Sequence, residues 1–243
     1  MTATTVTEIA DGIYRLSTMT DAVPGGFTFN QFLIRGDEAL LFHTGPKAMF
    51  ESVSAAVATV MPVEDLRWVS FGHWEADESG ALNLWLAAAP HSQPAIGSIG
   101  TMLSGHDQAI RPPAPLADGD VMDLGNRRVR WIDTPHVPHG WDAGLLFEET
   151  TATLLCGDLF SQGGDGSVTS GDILGPAAAL EDMMSATALT PRTASTIRRL
   201  ADTQPSTLGL MHGPSFTGDG AAALLALADD YQARLQRELA SPG

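Results

Sequence analysis

Trp68-Val69-Ser70-Phe71-Gly72-His73-Trp74-Glu75-Ala76-Asp77-Glu78-Ser79-Gly80 joins a short apolar run to a loop carrying one histidine and three acids. Trp68–Gly72 predicts a strand and Ser79–Ala89 a helix, so His73, Glu75 and Asp77 fall where a strand gives way to a helix. Such clustering suits a metal, whose donor atoms must meet about 2.0–2.2 Å from one ion. Three further strand ends carry the same residue types. Val129–Asp133 runs into Thr134-Pro135-His136-Val137-Pro138-His139-Gly140, Thr153–Gly157 delivers Asp158, and Thr207–Met211 delivers His212.

The remaining chain supplies a frame for these ends. Strands are predicted at Val6–Leu16, Phe29–Ile34, Ala39–Phe42, Val121–Leu124 and Gly144–Phe147, with breaks at Pro24-Gly25-Gly26 and Arg35-Gly36-Asp37-Glu38. Helices are predicted at Lys47–Val60, ended by Pro62, at Pro176–Ala188, at Arg192–Asp202 and from about Gly220. The Pro-rich stretch around Arg111–Pro115 reads as irregular. Ser161–Gly175, rich in Gly, Ser and Asp, reads as a surface loop, placed just after Asp158 where it could cover the site. Strands in two groups, each followed by helices, predict two sheets with helices outside them, an α/β (α+β) architecture. No internal repeat and no linker interrupts it, so residues 1–243 read as a single domain.

Composition narrows the function. At 44% hydrophobic and 17% charged, the chain can bury a full core. A net charge of −16 argues against nucleic acid as a partner, and equally against electrostatic docking on anionic membranes. Cys156, the one cysteine, excludes an intramolecular disulfide framework and a cysteine-ligated iron–sulfur cluster. The opening MTATTVTEIADGIYRL lacks a basic and then apolar leader, and no run approaches a membrane span, so the expected location is cytoplasmic.

With those residues in view, the chain resembles the metallo-β-lactamase-fold superfamily, and within it the di-iron, oxygen-binding domain of the flavodiiron type, here standing alone. The hydrolase signature is His-x-His-x-Asp-His; Glu75 in place of the second histidine matches the flavodiiron branch. From His139 to Asp158 there are 18 intervening residues, the branch's spacing, whereas His136 gives 21. His139-Gly140-Trp141-Asp142 also resembles the family's His-Trp-Pro-Asp ligand loop. The resemblance implies an αββα sandwich with His73, Glu75 and His139 on one iron, Asp77 and His212 on the other, and Asp158 bridging. Two departures stand out. Glu78 occupies a position where the family usually has histidine, and it reads as a metal ligand, a group behind the ligands or a solvent-facing acid. His43, in Leu41-Phe42-His43-Thr44-Gly45, occupies a strand end where related folds often place aspartate. It reads equally as a hydrogen-bonded core histidine and as a support for the ligand loop. His136 reads as a loop-shaping or supporting group, with ligation in place of His139 as the alternative. Trp74, Trp141 and Phe160 flank ligands and are candidates to line a gas pocket.

Three imidazoles and three carboxylates form a hard, oxygen-rich set suited to iron, with manganese or zinc as alternatives. Two divalent ions exceed the three carboxylate charges by one, which a bridging hydroxide closes. The resemblance therefore implies binding and reduction of dioxygen or nitric oxide by two irons. No flavin is expected in this chain, so electrons would come from a separate donor protein. Two other readings stand beside it: an oxygen-sensing di-iron module with a signalling partner, and a dinuclear zinc or iron metallohydrolase, against which Glu75 weighs. The Ala-rich Ala221–Leu239 reads as a packed amphipathic helix, with a homo-oligomer contact as the alternative.

Overall fold

The computed structural model describes residues 3–21 and 25–240; Met1, Thr2 and Pro24 lie outside the described residues. β1 (Thr5–Ala10) and β2 (Ile13–Thr20) form an antiparallel hairpin where the sequence predicts the single run Val6–Leu16. Gly12 turns the chain at φ 66°, a left-handed conformation open to glycine at little cost. β3 (Phe27–Ile34) and β4 (Leu40–Phe42) extend the sheet antiparallel. β5 (Trp68–Ser70), β6 (Gln93–Gly97) and β7 (Ala114–Leu116) then join it in parallel.

Between these strands run α1 (Phe50–Ala58), α2 (Ala76–Ser79) and α3 (Leu82–Ala88). A further helical stretch combines α4 (Ser98–Gly100), a π turn over Thr101–Gly105 and α5 (His106–Gln108). The helix predicted over Ser79–Ala89 is thus two helices parted at Gly80-Ala81. β6 and β7 were not legible because Pro94 and Pro115 sit inside them, and proline normally argues against a strand.

The second sheet is built from β8 (Val121–Asp123), β9 (Arg128–Asp133), β10 (Gly144–Glu148) and β11 (Thr153–Leu155), all antiparallel neighbours. β12 (Val168–Thr169) lies at its far edge, a short strand within the predicted loop. α6 (Leu174–Met184) and α7 (Thr193–Ala201) follow, then β13 (Thr207–Gly209), β14 (Ser215–Thr217) and α8 (Gly220–Ala240). β13 pairs in parallel with β11 and antiparallel with β14.

Strand alternation divides the apolar residues into three layers. Leu40 and Phe42 meet Trp131, Leu146 and Leu155 between the sheets. Leu41 and Val69 point the other way, onto Val53, Val57 and Trp85. Leu154 and Leu208 face Ile197, Leu200 and Leu224 on the opposite exterior. The result is the αββα sandwich, and it sends the ends of β5, β9, β11 and β13 to one edge. No helix among the described residues is long and apolar enough to cross a membrane.

Candidate metal centre

Each ligand-type side chain is fixed by the place where its strand stops. β5 ends at Ser70, and Phe71-Gly72 carry the chain to His73 and on to Glu75, which caps the start of α2 in an extended conformation. The Glu75 carbonyl accepts both the backbone N–H and the hydroxyl of Ser79, which fixes the short helix that presents Asp77. The β9–β10 connection carries His139, the residues after β11 carry Asp158, and those after β13 carry His212.

Together they make two clusters that share one residue. His73, Glu75, His139 and Asp158 bring one ligand atom each within 4.8 Å of one another, and so do Asp77, Asp158 and His212. Glu75 Oε2 lies 2.9 Å from His73 Nε2 and 3.0 Å from His139 Nε2. Asp158 turns Oδ2 toward His139 Nε2 at 3.4 Å and Oδ1 toward His212 Nε2 at 3.3 Å. His212 Nε2 also lies 3.3 Å from Asp77 Oδ2. The imidazoles are aimed from behind: Nδ1 of His212 meets the Thr28 carbonyl at 2.7 Å, and Nδ1 of His73 lies 3.3 Å from Glu78 Oε1. Anchoring Nδ1 in this way leaves Nε2 to face the centre, the arrangement that metal-binding histidines use.

Without an ion, the carboxylates and imidazoles neutralise one another. Burial works against charge on His73, but Glu78, Glu75 and Asp158 outweigh it and push the imidazole up to about 11. His212 is likewise opposed by burial, yet Asp158 and Asp77 raise it to about 9. Glu75 is held well below the usual carboxylate range by hydrogen bonds from His139 and His73. His139 rises, chiefly through its hydrogen bond to Glu75. Burial opposes the charge of Asp158, but His212, His73 and His139 keep it low. Protonated imidazoles here stand where cations would, and the donor set fits two hard or borderline divalent ions.

The family model described as "ODP family beta lactamase" matches residues 27–198. The chain belongs to this family. Among curated relatives, rubredoxin-oxygen oxidoreductase of Megalodesulfovibrio gigas is 24% identical over 141 residues, covering 57% of this chain and 35% of that protein. Anaerobic nitric oxide reductase flavorubredoxin of Aeromonas hydrophila is 25% identical over 140 residues, covering 56% of this chain and 28% of its own length. The chain thus spans about a third or less of these relatives. In fold it is similar to rubredoxin oxygen:oxidoreductase of Desulfovibrio gigas, with a TM-score of 0.81 at 19% identity over 96% of this chain and 62% of that one. The flavodiiron protein of Giardia intestinalis gives 0.76 at 16% identity over 95% and 60%.

Beside the paired clusters this ODP-family chain holds a cavity of about 200 Å³. Glu75, Asp77, His139, Asp158 and His212 open onto it, and Phe27, Phe160, Ala177, Leu180, Met184 and Tyr231 supply much of the rest of its wall. Phe160 is buried at φ 62°, a strained conformation for a bulky side chain; His43 and His136 have similar angles. Trp74 and Trp141, taken as pocket candidates, lie outside this lining. The indole of Trp74 donates to the Gly100 carbonyl at 2.9 Å, and Trp141 is 57% exposed. Ser161 touches the cavity but the rest of the predicted covering loop does not; α6 and α8 close that side instead.

His136 is exposed and belongs to neither cluster. Glu78 is buried and also belongs to neither, so it is not the solvent-facing acid of the third alternative. His43 is buried beside it.

Sequence reasoning missed the residues of β2 and β3 that hold His212. Phe27 stacks on its ring at 4.2 Å. Asn30 Nδ2 donates to the carbonyls of Leu210 and Gly213, and the buried Arg15 donates to Gly213 as well. The available signal was a buried-strand pattern interrupted by polar residues, as in Phe27-Thr28-Phe29-Asn30-Gln31.

Proposed function

We propose that this chain is a non-haem di-iron module that binds and reduces dioxygen or nitric oxide, taking electrons from a separate donor protein. In this reading His73, Glu75 and His139 hold one iron, Asp77 and His212 hold the other, and Asp158 bridges. The observation that carries it is the placement of Asp158, whose two oxygens face imidazoles of different clusters. Similarity to proteins named for oxygen and nitric oxide reduction supports the choice of reaction. When bound, the irons supply the electron transfer to the gas. The protein supplies the rest. Glu75 and the three carboxylate-paired imidazoles fix the donor positions. Phe27, Phe160, Ala177 and Leu180 give an apolar approach that favours a small molecule with little hydrogen-bonding capacity over water.

Metal analysis of protein purified from iron-replete cells tests the centre, with two irons per chain expected. Gas consumption with a chemical reductant then tests the reaction. Two zincs and hydrolysis indifferent to reductant would replace this reading with the metallohydrolase. Iron with reversible gas binding and no turnover would replace it with the sensor.

A further inference from the structure

Behind His73 lies a buried pair that the six ligand-type residues do not use. Glu78 is 1% exposed and His43 is fully buried. Oε2 of Glu78 accepts the backbone N–H groups of Gly72 at 2.7 Å and His73 at 2.8 Å. Oε1 lies 3.3 Å from His73 Nδ1 and 3.3 Å from His43 Nε2. His43 is held in turn, with Nδ1 3.4 Å from the Asn30 carbonyl. The fit leaves no slack: a Cβ added at Gly72 would stand 2.9 Å from Glu78 Oε2.

We propose that Glu78, backed by His43, is a positioning residue that selects the metal-binding tautomer of His73 and thereby makes the two metal positions unequal. This rests on the reading of the centre given above. Both oxygens of an ionised Glu78 carboxylate can only accept. Oε2 faces two N–H donors that cannot be reversed, and Oε1, buried with no hydrogen-bond donor of its own and 3.3 Å from His73 Nδ1, is the acceptor that a proton on Nδ1 would satisfy once the Nε2 lone pair goes to the metal. Glu78 stands behind His73 and contributes an atom to neither cluster of ligand-type groups. The position near His73 therefore draws on four side chains, His73, Glu75, His139 and Asp158, whereas the other draws on Asp77, Asp158 and His212. The second ion binds more weakly and leaves first.

Glu78→Gln isolates this role because it keeps the shape. The two backbone N–H groups demand the amide oxygen, so the NH₂ group turns toward His73 Nδ1. That nitrogen must then accept, and Nε2 carries the proton where the metal should sit. Cobalt(II) and zinc(II) titrations of metal-free protein, followed by calorimetry and by cobalt absorbance, read the two positions without any redox chemistry. In wild type, two unequal sites are expected. In Glu78→Gln the tighter site weakens about 10–100-fold while the weaker one changes less. Thermal melts of both metal-free proteins report folding separately.

Nitrogen-15 spectra of the zinc-loaded wild type add a readout that needs no variant: His73 must carry its proton on Nδ1. Unchanged tight binding in Glu78→Gln, selective loss of the weaker site, or a His73 coordinated through Nδ1 would each overturn the proposal while leaving the dinuclear centre standing. Wild-type protein that binds fewer than two ions would instead overturn the centre, and this inference with it.

Discussion

Removing the metals should make the fold pH-sensitive in a direction opposite to ordinary acid denaturation. In the metal-free protein, His212 rises from 6.5 to about 9 through Asp158 and Asp77, against the opposing effect of burial. A group whose pKa is raised on folding stabilises the fold fully below its unfolded value, here 6.5, and loses that contribution as pH climbs through about 9. At roughly 1.4 kcal/mol per pH unit, His212 alone contributes about 3 kcal/mol. For a chain of this size that corresponds to a fall in Tm of roughly 6–12 °C. His73, raised to about 11, loses stability in the same window and with the same sign. Glu75 and Asp158 are lowered, so their contributions are present above the usual carboxylate range, are lost only in acid, and stay constant here. Urea unfolding of chelator-treated protein between about pH 6.5 and 9 reads the effect. The metal-loaded protein should show no such fall, because ions replace the protons and bind better as pH rises. Metal-free stability that stays flat or increases across that range would refute the argument.

Other perturbations separate the roles of neighbouring residues. His139→Ala should deplete the metal held with His73 and Glu75, while the exposed His136 can be replaced by alanine with both metals retained and stability changed by about 0.5 kcal/mol or less; metal analysis and melts decide between them. Asp158→Ala should cost more metal than any other single substitution, since its two oxygens face both clusters, and retention of two ions would contradict the bridge. Leu180→Trp, which fills the cavity of about 200 Å³, should slow gas binding at least tenfold in stopped-flow traces while metal content stays at the wild-type value. Trp141→Ala, removing a side chain that is 57% exposed and outside that cavity, should change neither.

What the sequence determined by itself was the chemistry at the strand ends. His73, Glu75 and Asp77 lie within five residues, and the spacing from His139 to Asp158 is carried by the chain itself, so these relations survive without coordinates. Strand-like runs in two groups, each followed by helical patterns, were enough to predict two sheets faced by helices, because each sheet must bury its apolar faces against another layer. Boundaries were less legible. The hairpin turn at Asp11-Gly12 splits what reads as one strand run although the Asp-Gly pair is itself a turn signal, and β14 is too short to show a period.

Only the tertiary structure decided which groups stand behind the candidate ligands and what lines their approach. Glu78 had three readings until burial and its contacts with Gly72, His73 and His43 removed the solvent-facing one. Trp74 and Trp141 adjoin ligands in sequence yet point elsewhere, whereas Phe27, Leu180 and Tyr231 come from distant elements to form the cavity. The physical reason is one of range. A donor motif is recorded by local spacing, but a cavity wall and a buried hydrogen-bond partner are made by layers meeting across many residues, and apolar side chains bear no local mark of which surface they will share.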